Sequence, residues 1–534
     1  MISRMTHFNK LPSAEGFTFN LRPAKIDAWA YEACSRHFGD QKIKGVVETL
    51  HRSSISYTAM VDDLLGYQVK PSPRTELKSY HLAYASVRQD LNIDTPLIPL
   101  TMGAVPQRED FPGNKSPGLP YKQQGFKTKR EVIDAGKLHE INRDWQRIGF
   151  RKGKVELPDV CLFARAQIAR KGKEKIRATW GYPLHVYLEE GRFFYPIMDW
   201  IKSREHDFPI AYGFETANGG MSVISEMLAR NPLCKYICTD WKTFDKSIPP
   251  WLIRDAFAIL AECIDWSHVK DVEGKIWSVR PGPSKIRWKR MIDYFVSTPI
   301  RTCKGERFLV STGVPSGSCW TNLIDSIVNA LVTRTCFYET TGAFPVDEIY
   351  LGDDGVIIAR GVIDLELLAL AAKSEFGLIL NTDKSYVTTN PSNVHFLGYF
   401  NYGGFPFKNQ DFLIASFIQP EHTRTSVVEA CAAALGQMWS GFDPLYAVIW
   451  FNIICDLADR DNLTLEEVQL HMRSHPHRHK YLNHVGINPK TITIPTPRDG
   501  LILDVLPSRS STYTIKRRTY DVYKLWQSVG KYFN

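Results

Sequence analysis

The chain has 534 residues, 44% of them hydrophobic and 23% charged, with a formal net charge of +9 at pH 7. That composition excludes a disordered or fibrous protein, and the length calls for several subdomains around sizeable cores. The positive excess is modest for such a length, so where it sits matters more than its size.

The opening stretch, MISRMTHFNK, has no apolar core and does not read as a secretory signal. Residues 1 to about 100 mix short helical and loop signals without an interpretable motif. Residues 101–131, rich in Pro, Gly and Lys, predict an irregular basic loop running into a helix. From Arg151 to Arg177, nine Lys or Arg stand against three acids, a local net of +6. Apolar strand and helix patterns dominate from about 184 to 260, and residues 270–308 are basic and contain Trp. Residues 313–400 alternate helix, hairpin, helix and strand, an α+β pattern. Helical periodicity prevails from about 415, and YAVIWFNIICDLA, Tyr446 to Ala458, predicts a buried helix too short to span a bilayer. The run HMRSHPHRHK, His471 to Lys480, reads as a polar surface loop, its four histidines lacking zinc-site spacing. Residues 495–534 look irregular and end in a short aromatic and basic helix. The ten cysteines lack paired metal spacing and read as reduced and mostly buried.

Three stretches carry candidate chemistry. In IYLGDDGVIIAR, residues 349–360, Asp353 and Asp354 stand between two apolar runs. The pattern predicts a hairpin with Asp354-Gly355 supplying the turn. Adjacent carboxylates repel, and a hard divalent cation such as Mg²⁺ or Mn²⁺ would relieve them. In YICTDWKTFDKSIPPWLI, beginning at Tyr236, an apolar strand exits at Asp240, Asp245 follows, and a helix starts at the prolines. In GVPSGSCWTNLIDSIVNALV, beginning at Gly313, a flexible polar loop with a Ser cap leads into an amphipathic helix. Thr321, Asp325 and Asn329 lie four apart on one face of that helix.

In that order, Asp240-x4-Asp245, Ser316-Gly317-x3-Thr321 and Gly352-Asp353-Asp354 resemble motifs A, B and C of viral RNA-dependent RNA polymerases. SPGLPYKQQGFKTKRE from Ser116 resembles motif G, and RAQIARKGKEKIRATWGYP from Arg165 resembles motif F. LILNTDKSYVT from Leu378 resembles motif D, and VHFLGYFNYGGFPFK from Val394 resembles motif E. The resemblance covers about 116–408 and is most like partitivirus polymerases, with picobirnaviruses as the near alternative.

The resemblance implies an α+β right hand of fingers, a palm with an antiparallel sheet and flanking helices, and a mostly helical thumb. It divides the chain into an N-terminal region and fingers (1–183), palm (184–261), a fingers insertion (262–308), palm (309–412), thumb (413–494) and tail (495–534). It implies RNA polymerisation for a bisegmented double-stranded RNA virus, working with two Mg²⁺ or Mn²⁺ ions held by Asp240, Asp353 and Asp354. Lys384 would be the general acid for pyrophosphate. Arg165, Arg170, Lys173, Lys175 and Arg177 would face the triphosphate and template. Ser316, Gly317, Thr321, Asp325 and Asp245 would contact the nucleotide, with Ser316-Gly317 as a mobile loop. Ser116, Pro117, Gly118, Lys127, Lys129 and Arg130 would contact RNA. Expected partners are viral RNA template and product, NTPs and a capsid protein, with no membrane, a monomeric state, and a location in the virion or host cytoplasm. One departure stands out. Single-stranded RNA virus enzymes carry Asn four residues after the motif B Thr, whereas this chain has Asp325, which puts two carboxyls at the ribose position. Rival readings are a reverse transcriptase and a non-catalytic RNA-binding protein of polymerase fold. The tail, with Tyr513 and Tyr520, is a candidate support for primer-independent initiation.

Overall fold

The computed structural model of the protein describes residues 8–204, 209–441, 443–494 and 518–529. Most of the tail, including Tyr513, lies outside the described residues.

A four-stranded antiparallel sheet organises the centre. Its order is Asp347–Leu351, Asp354–Ala359, Lys235–Cys238, Tyr386–Thr388. The second strand has neighbours on both sides and is buried on both faces, so Val356, Ile357 and Ile358 form an unbroken apolar run rather than an alternating one. Leu351 pairs directly with Asp354, which leaves Gly352 and Asp353 as the two turn residues. The sequence reading placed the turn two residues late. Gly352 takes the positive φ (64°) that opens the turn, and Asp354-Gly355 begins the return strand.

Beside the sheet runs the helix Thr321–Thr341, buried continuously from Leu323 to Phe337 and stopped by Gly342 in the left-handed conformation. Its N-cap is Trp320 with no side-chain cap bond, so the expected Ser cap is not used. Instead, Ser318 Oγ accepts from the Trp320 N–H just ahead of the helix. The helix Leu365–Phe376 is capped by Asp364, whose carboxylate accepts from two first-turn amides, and it ends at Gly377.

A five-stranded sheet forms a second layer, ordered Phe8–Leu11, Arg307–Val310, Thr298–Arg301, Val160–Ala166, Ile176–Gly181. Chain regions that carried no readable motif therefore build structure. The first strand edges this sheet, and the helix Lys78–Asp90 packs along Thr321–Thr341. Between those two helices Arg334 is fully buried, donating to Asp90, Glu348 and Ser86. The Tyr520 hydroxyl also joins Asp90 and Arg334, ahead of the helix Val522–Val529, which packs on Lys78–Asp90.

After a small three-stranded sheet (His395–Phe396, Tyr399–Tyr402, Phe405–Phe407) the chain turns helical: Gln410–Ile418, Val427–Gly441, Pro444–Arg460 and Leu465–Ser474. Pro444–Arg460 is the expected buried helix, with Trp450, Ile453, Ile454 and Leu457 in the core. In the His-rich run that follows, the rings of His471 and His475 stack 4.4 Å apart and His479 is buried rather than on the surface. All ten cysteines carry free thiols, seven of them buried. No helix among the described residues is long and apolar enough to cross a membrane.

Candidate active site

The central sheet sets its carboxylates at one edge. Asp240 lies two residues past the strand Lys235–Cys238, and Asp353 and Asp354 lie at the tip of the neighbouring hairpin. A cavity of about 390 Å³ is lined by Asp240, Asp353 and Asp354 together with Lys384, Tyr386 and His395. Four predicted catalytic residues, over 140 positions apart in sequence, thus share one cleft.

The Asp240 and Asp354 carboxylates and the turn that carries Asp353 are held from behind. Asn381 donates its side-chain amide to Asp240 Oδ2 at 2.9 Å and its backbone N–H to the Asp240 carbonyl at 2.8 Å. The Asp240 N–H donates to Ser385 Oγ. Asp354 Oδ2 accepts from the Leu397 N–H at 2.6 Å. Ser326 Oγ accepts from the Gly352 N–H at 2.8 Å, and the Asn329 amide donates to the Gly352 carbonyl at 3.1 Å. The helix carrying Thr321, Asp325 and Asn329 therefore fixes the turn that carries Asp353. Asn381, Ser385, Ser326 and the Leu397 amide were not singled out from sequence. Asn329 was noticed only as part of a polar row.

Charge is crowded here. Desolvation pushes the Asp354 carboxyl up to about 7; the Leu397 N–H opposes this, while Asp353 and Asp240 add repulsion. Asp353 is raised first by desolvation, against the pull of Arg177. Asp245 is raised by desolvation too, with Arg177 and Lys246 drawing it down. Asp325 is buried and raised well above the carboxylate range by desolvation, with Asp245 and Asp353 adding to it, and its Oδ1 has no hydrogen-bond partner. Oxygen donors crowded against one another suit a hard divalent cation, so the residues present fit magnesium or manganese. Among the described residues no three His, Cys, Asp or Glu side chains are grouped closely enough to hold a metal ion as they stand.

The basic hairpin divides into different roles. Val160–Ala166 pairs antiparallel with Ile176–Gly181, placing Arg165 opposite Arg177. Arg177 is exposed and acts electrostatically on Asp245, Asp325 and Asp353 at once. Arg170, Lys173 and Lys175 are exposed near its tip. Arg165 is exposed and its guanidinium makes an ion pair with Glu421 at 3.0 Å, far along the chain.

The loop before the helix Thr321–Thr341 is wedged against this hairpin. Ser316 Oγ accepts from the Trp180 N–H at 3.2 Å, and a Cβ on Gly317 would fall 1.6 Å from the Trp180 carbonyl. Thr321 Oγ1 donates to the Pro315 carbonyl, and Ser318 donates to the buried Glu190 at 2.6 Å. Among the residues expected on RNA, Ser116 is partly exposed, Pro117 and Gly118 are buried, and Lys127 is exposed. The Pro117 carbonyl accepts from Leu184 N–H, and Gly118 takes φ 68° against Tyr182 and Pro183. Arg130 donates to the Pro106 carbonyl and lies over Phe111. Lys129 differs from Lys127. Its ammonium is buried, donates to the Ser116 carbonyl at 2.9 Å, and is lowered to about 8 by desolvation, so it braces the loop from inside.

A family model described as viral RNA-dependent RNA polymerase matches residues 31–400. The RNA-directed RNA polymerase of Atkinsonella hypoxylon virus (isolate 2H) is 26% identical over 358 residues, 59% of this chain and 51% of that protein. That of Cryptosporidium parvum virus 1 (strain KSU-1) is 25% identical over 356 residues, 62% of this chain and 63% of that protein. The chain thus spans about half to three-fifths of the length of these curated relatives. Among solved structures, the RNA-dependent RNA polymerase of a human picobirnavirus superposes with a TM-score of 0.61 at 14% identity, covering 88% of this chain and 90% of that one. The Sicinivirus 3Dpol polymerase gives 0.65 at 14% identity, covering 89% and 99%.

Proposed function

Because this chain belongs to the viral RNA-dependent RNA polymerase family and has its right-hand fold, we propose that it copies RNA templates by nucleotidyl transfer in the cleft of Asp240, Asp353 and Asp354. The observation that carries this reading is the meeting of those three carboxylates with Lys384 in one cavity, beneath the field of Arg177. Polymerases of this family work with divalent metal ions. Asp240 and Asp353 would hold two Mg²⁺ or Mn²⁺ ions, with Asp354 as a secondary ligand or a source of local field. Such ions offset charge on the entering and leaving oxygens of an in-line displacement.

The chain's own residues position the rest. The primer 3′-hydroxyl loses its proton to solvent and its oxygen bonds to the α-phosphorus of the incoming NTP while the bond from that phosphorus to the bridging oxygen breaks. Lys384 donates a proton to the departing pyrophosphate. Arg177 draws the triphosphate in, with Arg170, Lys173 and Lys175 on its approach. Asp245 and Asp325 face the ribose. Asp325, buried with an unpartnered oxygen, takes its proton and supplies the donor that an Asn supplies elsewhere. Ser116, Lys127 and Arg130 lie along the template path. The sixfold division read from the sequence, from fingers (1–183) to tail (495–534), is retained as the domain reading. A double-stranded RNA virus origin, a capsid partner, a monomeric polymerase and work inside the particle or host cytoplasm complete the proposal.

The test is a template-directed assay with single-stranded RNA, four NTPs and Mg²⁺ or Mn²⁺, with and without primer. Full-length product from the wild type, and none from a folded Asp353→Ala variant, is the expected result. Product from both overturns the assignment of Asp353. Equal use of dNTPs would favour a reverse transcriptase. RNA binding without product from the wild type would favour the non-catalytic reading.

A further inference from the structure

A second cavity, of about 330 Å³, lies between the helices Leu138–Gly149 and Pro281–Val296 and shares no lining residue with the carboxylate cleft. Three arginines line it, Arg192, Arg280 and Arg287, and no Asp or Glu does. Two of the three are buried: Arg192 is 5% exposed and Arg287 6%. Behind them stands Glu189, with no exposure at all. Its carboxylate accepts from Arg192 Nη1 and Arg287 Nε, both at 2.8 Å, and from Arg287 Nη2. Arg192 Nε donates to the Leu100 carbonyl. Two guanidiniums therefore share one carboxylate, and positive charge is left over inside the protein. Arg192 Nη2 and Arg287 Nη1 take no part in these bonds. Burial, with the nearby Arg287 charge, weakens the hold of Arg192 on its proton.

Two further features add to that excess. The helix Pro281–Val296 begins at the cavity, where Arg280, Pro283 and Ser284 line the wall. Its N-cap, Arg280, makes no side-chain cap bond, and since Pro281 and Pro283 carry no N–H, Gly282 is the free first-turn amide at this positive helix end. The rest of the lining is mixed, with Phe150, Met102 and Val269 apolar and Asn142 and Gln146 carrying amides. Buried guanidinium forks with spare donors match phosphate oxygens, and the volume falls in the range of small-molecule sites.

We propose that this cavity binds a small phosphate-bearing molecule, its phosphate held by Arg280, Arg287 and the start of Pro281–Val296, and any organic body seated against Phe150. The bound anion balances the charge that Glu189 leaves over.

Amide hydrogen exchange on the full chain, without divalent metal, tests this with two probes used separately, inorganic pyrophosphate and AMP. Protection of 280–287 by both probes, with 142–150 also protected by AMP, is expected for a phosphate grip plus a seat for the body. Protection of 280–287 by both, with AMP adding nothing at 142–150, supports the phosphate grip and removes the seat. Arg280 is exposed, so Arg280→Ala should leave the fold intact and raise the half-saturating probe concentration about 10-fold at these peptides only. Protection confined to 235–245 and 349–360, no protection at millimolar probe, or indifference to Arg280→Ala overturns the proposal.

Discussion

The Asp354 carboxylate is tied to the Leu397 backbone: Oδ2 accepts that N–H at 2.6 Å. Leu397 and Gly398 are both at positive φ, 51° and 84°, in the turn between His395–Phe396 and Tyr399–Tyr402. A carboxylate at the hairpin of Asp347–Leu351 and Asp354–Ala359 thus anchors the hairpin of His395–Phe396 and Tyr399–Tyr402.

That anchored carboxyl makes stability depend on pH in the metal-free protein. Its folded value of about 7 lies above the unfolded value of roughly 3.9. Below about pH 4 the proton is bound in both states, and the native preference for it is fully expressed. Between about pH 4 and 7 the unfolded chain releases the proton first, so this contribution is lost as pH rises. Asp354→Asn keeps an oxygen for the Leu397 N–H and removes the titration. We expect it to exceed wild type by about 2 kcal/mol at pH 8 and to match it near pH 4. Urea midpoints at the two pH values check this, and an equal gap at both would refute it.

Gly317→Ala should damage both fold and activity. The added Cβ meets the Trp180 carbonyl at 1.6 Å, a backbone atom that cannot swing aside. A cost of about 2–3 kcal/mol is expected, with polymerisation reduced about 10-fold or more at temperatures where the variant remains folded. A variant with wild-type melting and extension rates would show that the loop is not held against the hairpin.

Asn381→Ala should weaken metal use rather than RNA binding. The side-chain bond from Asn381 to Asp240 Oδ2 orients a carboxylate without occupying the cleft. Loss of such a supporting bond costs about 10–100-fold in metal affinity or activity. The half-saturating Mg²⁺ concentration should rise while the Kd for template, from fluorescence anisotropy, stays put. A change in template Kd alone would assign Asn381 a different role.

Arg334 and Tyr520 should differ sharply in cost. Removing the fully buried Arg334 strands Asp90 and Glu348, so Arg334→Ala should lose about 3–5 kcal/mol. Tyr520→Phe deletes one hydroxyl from the same network and should lose about 1–2 kcal/mol while loosening the helix Val522–Val529 from Lys78–Asp90. Denaturant unfolding gives the magnitudes. Proteolysis near residue 520 gives the local effect.

Lys127 and Lys129 provide a paired test of the loop from Ser116. Lys127→Ala should weaken RNA binding a few-fold and flatten its salt dependence, as loss of one phosphate contact does. Lys129→Ala should lower the melting temperature, because the lost amine is the one that holds the Ser116 carbonyl. Reversal of the two outcomes would return Lys129 to the RNA surface.

The sequence made the carboxylates legible because each sits where a local pattern changes, at a strand exit or a hairpin tip. The hairpin itself was found, but its turn was read at Asp354-Gly355, since that dipeptide is a strong turn signal. Pairing of Leu351 with Asp354 moved it to Gly352-Asp353. The partners of Arg165 and Lys129 were not legible, because composition marks a cation but not its partner. Glu421 is 256 residues from Arg165, and nothing local marks Lys129 as buried. The supports of the site, Asn381, Ser385 and Ser326, were invisible for a related reason. A small polar residue is ordinary in any loop until tertiary structure places a carboxylate or a turn beside it. The first 100 residues stayed unread because their helices are stabilised by distant elements such as Thr321–Thr341, not by motifs of their own.

The Arg165–Glu421 pair has a topological consequence. Contacts run from Asp354 through Leu397 into the small sheet, on through Gln410–Ile418 to Glu421, across to Arg165, and along the paired strands to Arg177 above Asp353. Arg52, donating to both Gln419 and the Ala166 carbonyl, makes the same crossing beside it. The carboxylate hairpin and the basic strands are thus joined by a closed loop of contacts. A template strand that threads this loop must enter by its end, as thread enters a needle's eye; on that reading a covalently closed circular template should be copied far less readily than the same sequence linearised. Glu421→Ala, by unfastening one link, should narrow that difference.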